Sequence, residues 1–246
     1  MPRARTTQRA ASWAAVVLAL GLTTAGCARD ITVHLRTGDR PPDPNAKRSS
    51  GSSLAEPQLV SGIALDRVRV VVRDLRLQAT PTADGSASTG DEELVPRVLL
   101  VELAGAELAP SAMTEIVPAR NVAWKSFYQA VLELGPVAPS DVTQDPALAP
   151  FTGKTLALEG RMPGGEPFVF ESSVASVLVL PLVFRTGLNH NNLTVNVALD
   201  EWFQGPAGEP LDPRDPAAHS TIEANILNSI NAYMDDNQDG IPDILG

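Results

Sequence analysis

Cysteine is almost missing from this sequence: Cys27 is the only one in 246 residues. A single thiol excludes an internal disulfide, a multi-thiolate zinc site and a two-cysteine redox pair. Histidine is nearly as scarce. His34, His190 and His219 stand far apart with no H-x-x-x-H pairing, which argues against a transition-metal centre. Basic residues are in deficit, 19 Lys and Arg against 29 Asp and Glu, for a formal charge of −10. Such an acidic surface opposes nucleic acid and anionic headgroups and favours cations. Apolar runs are short as well. The longest mostly apolar stretch, Ala10 to Leu22, cannot span a bilayer core, which needs roughly 20 residues. There is no G-x-S-x-G elbow and no phosphate-binding Gly-rich loop, and no spacing rule singles out a catalytic pair among the carboxylates. The expectation is therefore a non-enzymatic protein.

That short apolar stretch has a recognisable setting. Arg3, Arg5 and Arg9 precede it, no acidic residue occurs before Asp30, and Thr23, Thr24, Ala25 and Gly26 lead directly to Cys27. The pattern is that of an export signal, which must be set aside before any fold is considered. Ala25-Gly26-Cys27 resembles a lipobox, with Thr24 where Leu is usual and Leu22 two positions further back. The resemblance implies cleavage after residue 26 and acylation of Cys27. It would carry away three arginines and take the formal charge from −10 to −13. Two or more acyl chains hold a protein stably on a bilayer, whereas one holds it marginally. The expected location is the bacterial cell envelope, and Ala28 instead of Asp after the cysteine favours the outer membrane. The competing reading is an ordinary secretory peptide with a free thiol nearby.

The remainder reads as a β-rich body. Ile31 to Leu35 is a short strand, and Thr37 to Pro57 is a polar, Pro- and Ser-rich loop or linker. Either that strand joins the main sheet or the whole region is tether; a tether has little use for a strand. Val68, Val70 and Val72 alternate with Arg69, Val71 and Arg73, and Leu75 and Leu77 resume after a one-residue slip at Arg73-Asp74, the signature of a β-bulge. Thr80 to Glu93 reads as a polar loop. Further strands are expected over Val98–Leu103, Ser126–Leu134, Lys154–Arg161, Glu166–Ser173, Val174–Phe184 and Leu193–Leu199. Pro163-Gly164-Gly165 reads as a hairpin turn, and the polar Gly187–Asn192 loop as a plain hairpin connection, with a ligand loop as the competing reading. No βαβ alternation appears, so the fold class is mainly β, an antiparallel sandwich with one C-terminal helix. The domain division is 1–26 signal, 27–216 sandwich and 217–246 helix with an acidic loop.

The helix is expected to open on a capping box, Ser220-Thr221-Ile222-Glu223, and to carry an apolar stripe of Ile222, Ile226, Leu227, Ile230, Tyr233 and Met234. Directly after it comes Asp235-Asp236-Asn237-Gln238-Asp239-Gly240-Ile241-Pro242-Asp243. Oxygen donors fall at alternate positions, a glycine sits where the chain must turn sharply, and the next residue can offer its carbonyl. This suits calcium, a hard cation that takes six to eight oxygens. The segment resembles the D-x-[DN]-x-D-G-x-x-D loop of EF-hands, dockerins and thrombospondin type 3 repeats. By that resemblance the ligands are Asp235, Asn237, Asp239, the Ile241 carbonyl and Asp243. Position 12, where an EF-hand places a bidentate Glu, is Gly246, so only a Glu-less loop is implied, with millimolar-to-micromolar affinity and a structural role. The competing reading is a solvated acidic tail.

Trp202-Phe203 offers an aromatic surface for a ligand such as a sugar, or else closes the core; Trp124 has the same two readings. From Asp30 to Phe203 the layout is similar to an uncharacterised family of bacterial lipoproteins, on Ile31-Thr32-Val33, Val68 to Val72, Val101-Glu102-Leu103, Val117-Pro118-Ala119 and Leu193 to Asp200. That resemblance implies an immunoglobulin- or transthyretin-like sandwich and no known activity. The leading expectation is a lipid-anchored structural or binding module with a calcium loop. A carbohydrate- or peptide-binding accessory lipoprotein comes second and an exported hydrolase third. The residues leave open whether a partner is protein or carbohydrate.

Overall fold

The computed structural model describes residues 29–38, 62–123, 125–186 and 191–243. The signal segment with Cys27, most of the 37–57 loop, Trp124 and His190 lie outside them.

Two sheets face each other across one core, giving the expected β-sandwich. The first has four strands, ordered β11-β10-β1-β5, where β1 is Arg29–Thr37, β5 Met113–Val122, β10 Asn191–Val197 and β11 Ile230–Met234. The second has seven: β2 (Ala64–Gln78), β3 (Glu92–Glu93), β4 (Leu99–Ala104), β6 (Ser126–Leu134), β7 (Leu156–Arg161), β8 (Pro167–Ser172) and β9 (Ser176–Arg185). Among the described residues all strand pairings are antiparallel except β1 with β10, which run parallel from Ile31↔Asn191 to Thr37↔Val197. A parallel neighbour cannot be joined by a tight turn, and most of the chain separates these two strands.

The long strand β2 organises the second sheet. It pairs with β4 and β7 along its first half and with β3 and β6 along its second. The change of partner falls at a register shift between Val72 and Asp74, where the sequence slips. The extra residue restores the inward facing of Leu75 and Leu77, both buried. The β7–β8 hairpin turns at Pro163–Gly165, with Gly165 at φ 83° and its amide bonded to the Met162 carbonyl at 2.8 Å.

The inward faces supply the core: Ile31, Val33 and Leu35 from β1, Leu193, Val195 and Val197 from β10, and Val68, Val72, Leu75, Leu77, Leu132 and Leu134 from the opposing sheet. A smaller cluster of Val71, Val137, Leu148, Phe151 and Ala157 sits behind β2. It is covered by an excursion between β6 and β7 that contains a short helix, α1 (Pro139–Gln144), and a 3-10 turn over Pro146–Phe151.

Several expectations need correction. Helix α1 was not foreseen. The C-terminal helix, α2, spans His219–Ser229 and then gives way to β11, so Ile230, Tyr233 and Met234 belong to a strand. Asn228, Ser229 and Asn231 favour local side-chain bonding over helix continuation, and Ser229 Oγ donates to the Ile226 carbonyl at 2.7 Å. The capping box does not form either. The N-cap is Ala218, with no side-chain cap bond, and Glu223 instead accepts a hydrogen bond from Ser172 Oγ. Finally, β9 and β10 lie in different sheets and so are not the two arms of a hairpin; residues 187–190 of the expected Gly187–Asn192 connection lie outside the described residues.

Candidate functional site

The acidic loop begins where β11 ends, at the edge of the first sheet. The Asp235 amide extends the ladder by donating to the Asn192 carbonyl at 3.1 Å. Eight residues later the Asp243 amide donates to the Met234 carbonyl at 2.9 Å, which closes the segment into a ring. Inside the ring the chain winds around Asp235, a fully buried carboxylate. Its Oδ1 accepts the Asp239 amide at 2.9 Å and its Oδ2 the Gly240 amide at 2.8 Å. Asn237 Oδ1 shares the Asp239 amide at 3.0 Å, and Asp239 Oδ1 accepts the Ile241 amide at 2.9 Å. Asp243 Oδ2 takes the Asp236 amide at 2.5 Å. All five expected ligand positions therefore lie on one closed loop.

Two left-handed residues make the winding possible, Gln238 at φ 57° and Gly240 at φ 77°. At Gly240 a side chain would also collide: a Cβ there would stand 2.6 Å from Arg36 Nε. The glycine read from the sequence as a sharp-turn residue serves additionally as a point of close approach to the sheet.

The electrostatics are those of crowded acids. Burial pushes the Asp235 carboxyl above the usual carboxylate range, and repulsion from Asp239 and Asp243 adds to it, against the two amides that lower it. Tyr233, whose hydroxyl donates to the Gly240 carbonyl at 3.3 Å, is pushed up to about 12, mainly by burial. The donors are all hard oxygens, which fits calcium and not a softer metal. Among the described residues no three His, Cys, Asp or Glu side chains converge on one metal position.

What the sequence did not disclose is the surface beneath the loop. The outward side of β1 carries His34 and Arg36, that of β10 Asn192, Thr194 and Asn196, and all five are buried. Arg36 donates to Asn196 Oδ1 at 2.7 Å and to Ser111 Oγ at 3.1 Å. Asn192 binds Asp236 twice, amide to Oδ1 and Nδ2 to the carbonyl, each at 3.0 Å. Gln238 Nε2 lies 3.3 Å from His34 Nε2. The acidic loop is thus docked on a polar sheet face. The only sequence signal for this was the polar stripe in T-V-H-L-R and N-L-T-V-N, which reads equally well as a solvated face.

The aromatic pair is core. Trp202 and Phe203 are each 1% exposed. Trp202 Nε1 donates to Ser229 Oγ at 2.8 Å, and Phe203 meets Phe168 edge-on at 5.9 Å between centroids. Neither presents a face for stacking a sugar, which removes the platform on which the ligand-surface expectation rested. His219 packs edge-on against Phe170, with Nε2 3.1 Å from the Pro213 carbonyl, far along the chain from His34. No protein-family model, no curated protein and no solved structure matches this chain.

Proposed function

We propose that this protein is a lipid-anchored envelope lipoprotein, held through Cys27, whose sandwich acts as a non-enzymatic structural or binding module and whose C-terminal loop takes calcium. The observation that carries the metal reading is the folding of the Asp239 and Gly240 amides onto the Asp235 carboxylate. This winds the chain around Asp235, and Asn237, Asp239 and Asp243 accept further amides of the same loop. Asp235, Asn237, Asp239, the Ile241 carbonyl and Asp243 would hold the ion. Calcium would supply the positive charge that three crowded carboxylates lack, pinning the loop to the sheet.

The anchor reading rests on residues 1–27 alone. An acidic β body fastened by its N-terminus at β1 would face solvent, where extracellular calcium modules operate at dissociation constants of about 10⁻⁴–10⁻³ M. At a concentration about ten times the dissociation constant, a ligand specific for the folded state adds about 1.4 kcal/mol. Calcium should therefore raise the melting temperature of the domain, and Asp239→Ala should abolish the rise. Identical melting curves with and without millimolar calcium would remove the metal site. For the anchor, palmitate labelling should be lost in Cys27→Ser; labelling that persists in that variant contradicts it.

A further inference from the structure

A second candidate is a cleft lined by two basic and two acidic residues, Arg97, Arg120, Asp141 and Asp145. Residues 94–99 between β3 and β4, residues 116–120 of β5 and residues 141–148 of the α1 excursion meet around a cleft of about 310 Å³. That is the lower end of the size range of small-molecule sites. Its floor is apolar: Leu94, Val95, Val117 and Leu148 are buried there, and Ile116 and Leu99 are half-buried.

Two exposed arginines, Arg97 and Arg120, line it. Among the described residues neither has an ion-pair or hydrogen-bond partner, whereas Arg67, Arg69, Arg73, Arg76, Arg161 and Arg214 are each bound to a carboxylate. In a chain with ten more acids than bases, two guanidinium groups without a carboxylate form a local positive spot. Two carboxylates, Asp141 and Asp145, line the cleft as well. Asp141 Oδ2 accepts from Arg73 at 2.9 Å and from the Ala138 amide at 2.8 Å, and Asp145 Oδ1 accepts the Ala147 amide at 3.0 Å.

We propose that this cleft binds a small organic anion, a carboxylate carried on a short apolar tail. The tail would lie on the Val95–Val117–Leu148 floor and displace water from it. The carboxylate would sit at the mouth, where planar guanidinium forks match its two oxygens and give charge-assisted hydrogen bonds. Taking about 30 Å³ as the share of one water-sized group, the cleft holds roughly ten non-hydrogen atoms, the size of octanoate.

The test is a titration of the soluble domain with octanoate, followed by backbone amide NMR. Octanol serves as the uncharged comparator and inorganic phosphate as the tailless one. Octanoate should bind saturably, shifting resonances of residues 94–99 and 116–120, and both comparators should bind at least tenfold more weakly. The R97Q/R120Q double variant should keep its melting temperature, because neither side chain has a partner to lose, and should bind octanoate at least tenfold more weakly. R97K/R120K should recover part of the loss. Absence of saturable binding would overturn the proposal, as would equal affinity in R97Q/R120Q. So would octanol binding as tightly as octanoate, which would place the tail in the wholly apolar space between the sheets beside Val70 and Val101.

Discussion

The two sheets use the same alternation of apolar and polar residues to opposite ends. On the second sheet the outward residues of β2 include Arg67 and Arg69, which meet Glu102 and Glu159 on the neighbouring strands in partly exposed ion pairs. On the first sheet the outward residues of β1 and β10 are as polar, yet His34, Arg36, Asn192, Thr194 and Asn196 are buried beneath other parts of the chain. A polar stripe facing water contributes little, because its groups are satisfied whether or not they pair. A polar stripe under cover must be bonded by what covers it, and each lost partner leaves a desolvated group behind. The difference teaches that the face on which the acidic loop seats is the one whose polar residues are hidden.

This comparison can be broken most forcefully at Arg36. Its guanidinium serves Asn196 and Ser111 and lies against Gly240. Arg36→Ala should cost about 3 kcal/mol in denaturant melts, since hydrogen bonds of charged groups are worth roughly 1.5–3 kcal/mol and Asn196 stays buried without its donor. A loss below about 1 kcal/mol would mean the covered face is not held by its polar contacts. Gly240→Ala should come next, at roughly 1–3 kcal/mol, because it places a side chain in the left-handed region and into Arg36. The loop, and not the sandwich, should loosen first, which hydrogen exchange of the Asp239 and Gly240 amides would register.

Against the other sheet, Asp141 of α1 is held below the usual carboxylate range, first by the hydrogen bond from Arg73 and then by the Ala138 amide. A depressed acid contributes stability that is present above its unfolded-state pKa of about 3.9 and is lost as pH falls through its folded-state value. Asp141→Asn should therefore shallow the acid limb of the stability profile below about pH 4, and an unaltered limb would show that the pair carries no linkage. The smallest effect is expected at Arg67, side chain 43% exposed. Arg67→Ala should stay within about 0.5 kcal/mol of the parent, and a cost matching that of Arg36 would erase the distinction between the sheets.

How much of this was legible depended on whether periodicity survived in the sequence. β6 was read residue for residue, and the β2 bulge was visible because the valine alternation slips at Arg73-Asp74. β5 escaped because Pro118, Arg120 and Asn121 interrupt its pattern, and its pairing with β1 is itself bulged on either side of Val33. β11 escaped because Ile226, Ile230, Tyr233 and Met234 satisfy a helical spacing while Ile230, Ala232 and Met234 also satisfy a strand's; the break at Ser229 depends on its bonds to Trp202 and Ile226. The acidic loop was legible as a list of oxygens. Its seat was not, since no local pattern says that residues 236–240 will lie against residues 34, 36 and 192.

Calcium titration followed by backbone amide NMR addresses the central claim most directly. If the loop is a metal loop clamped to the covered sheet face, the amides of Asp239, Gly240 and Ile241 should shift saturably together with those of His34, Arg36 and Asn192, and Asp239→Ala should silence both groups. Shifts scattered over the acidic surface without saturation, or none in the loop at millimolar calcium, would contradict it.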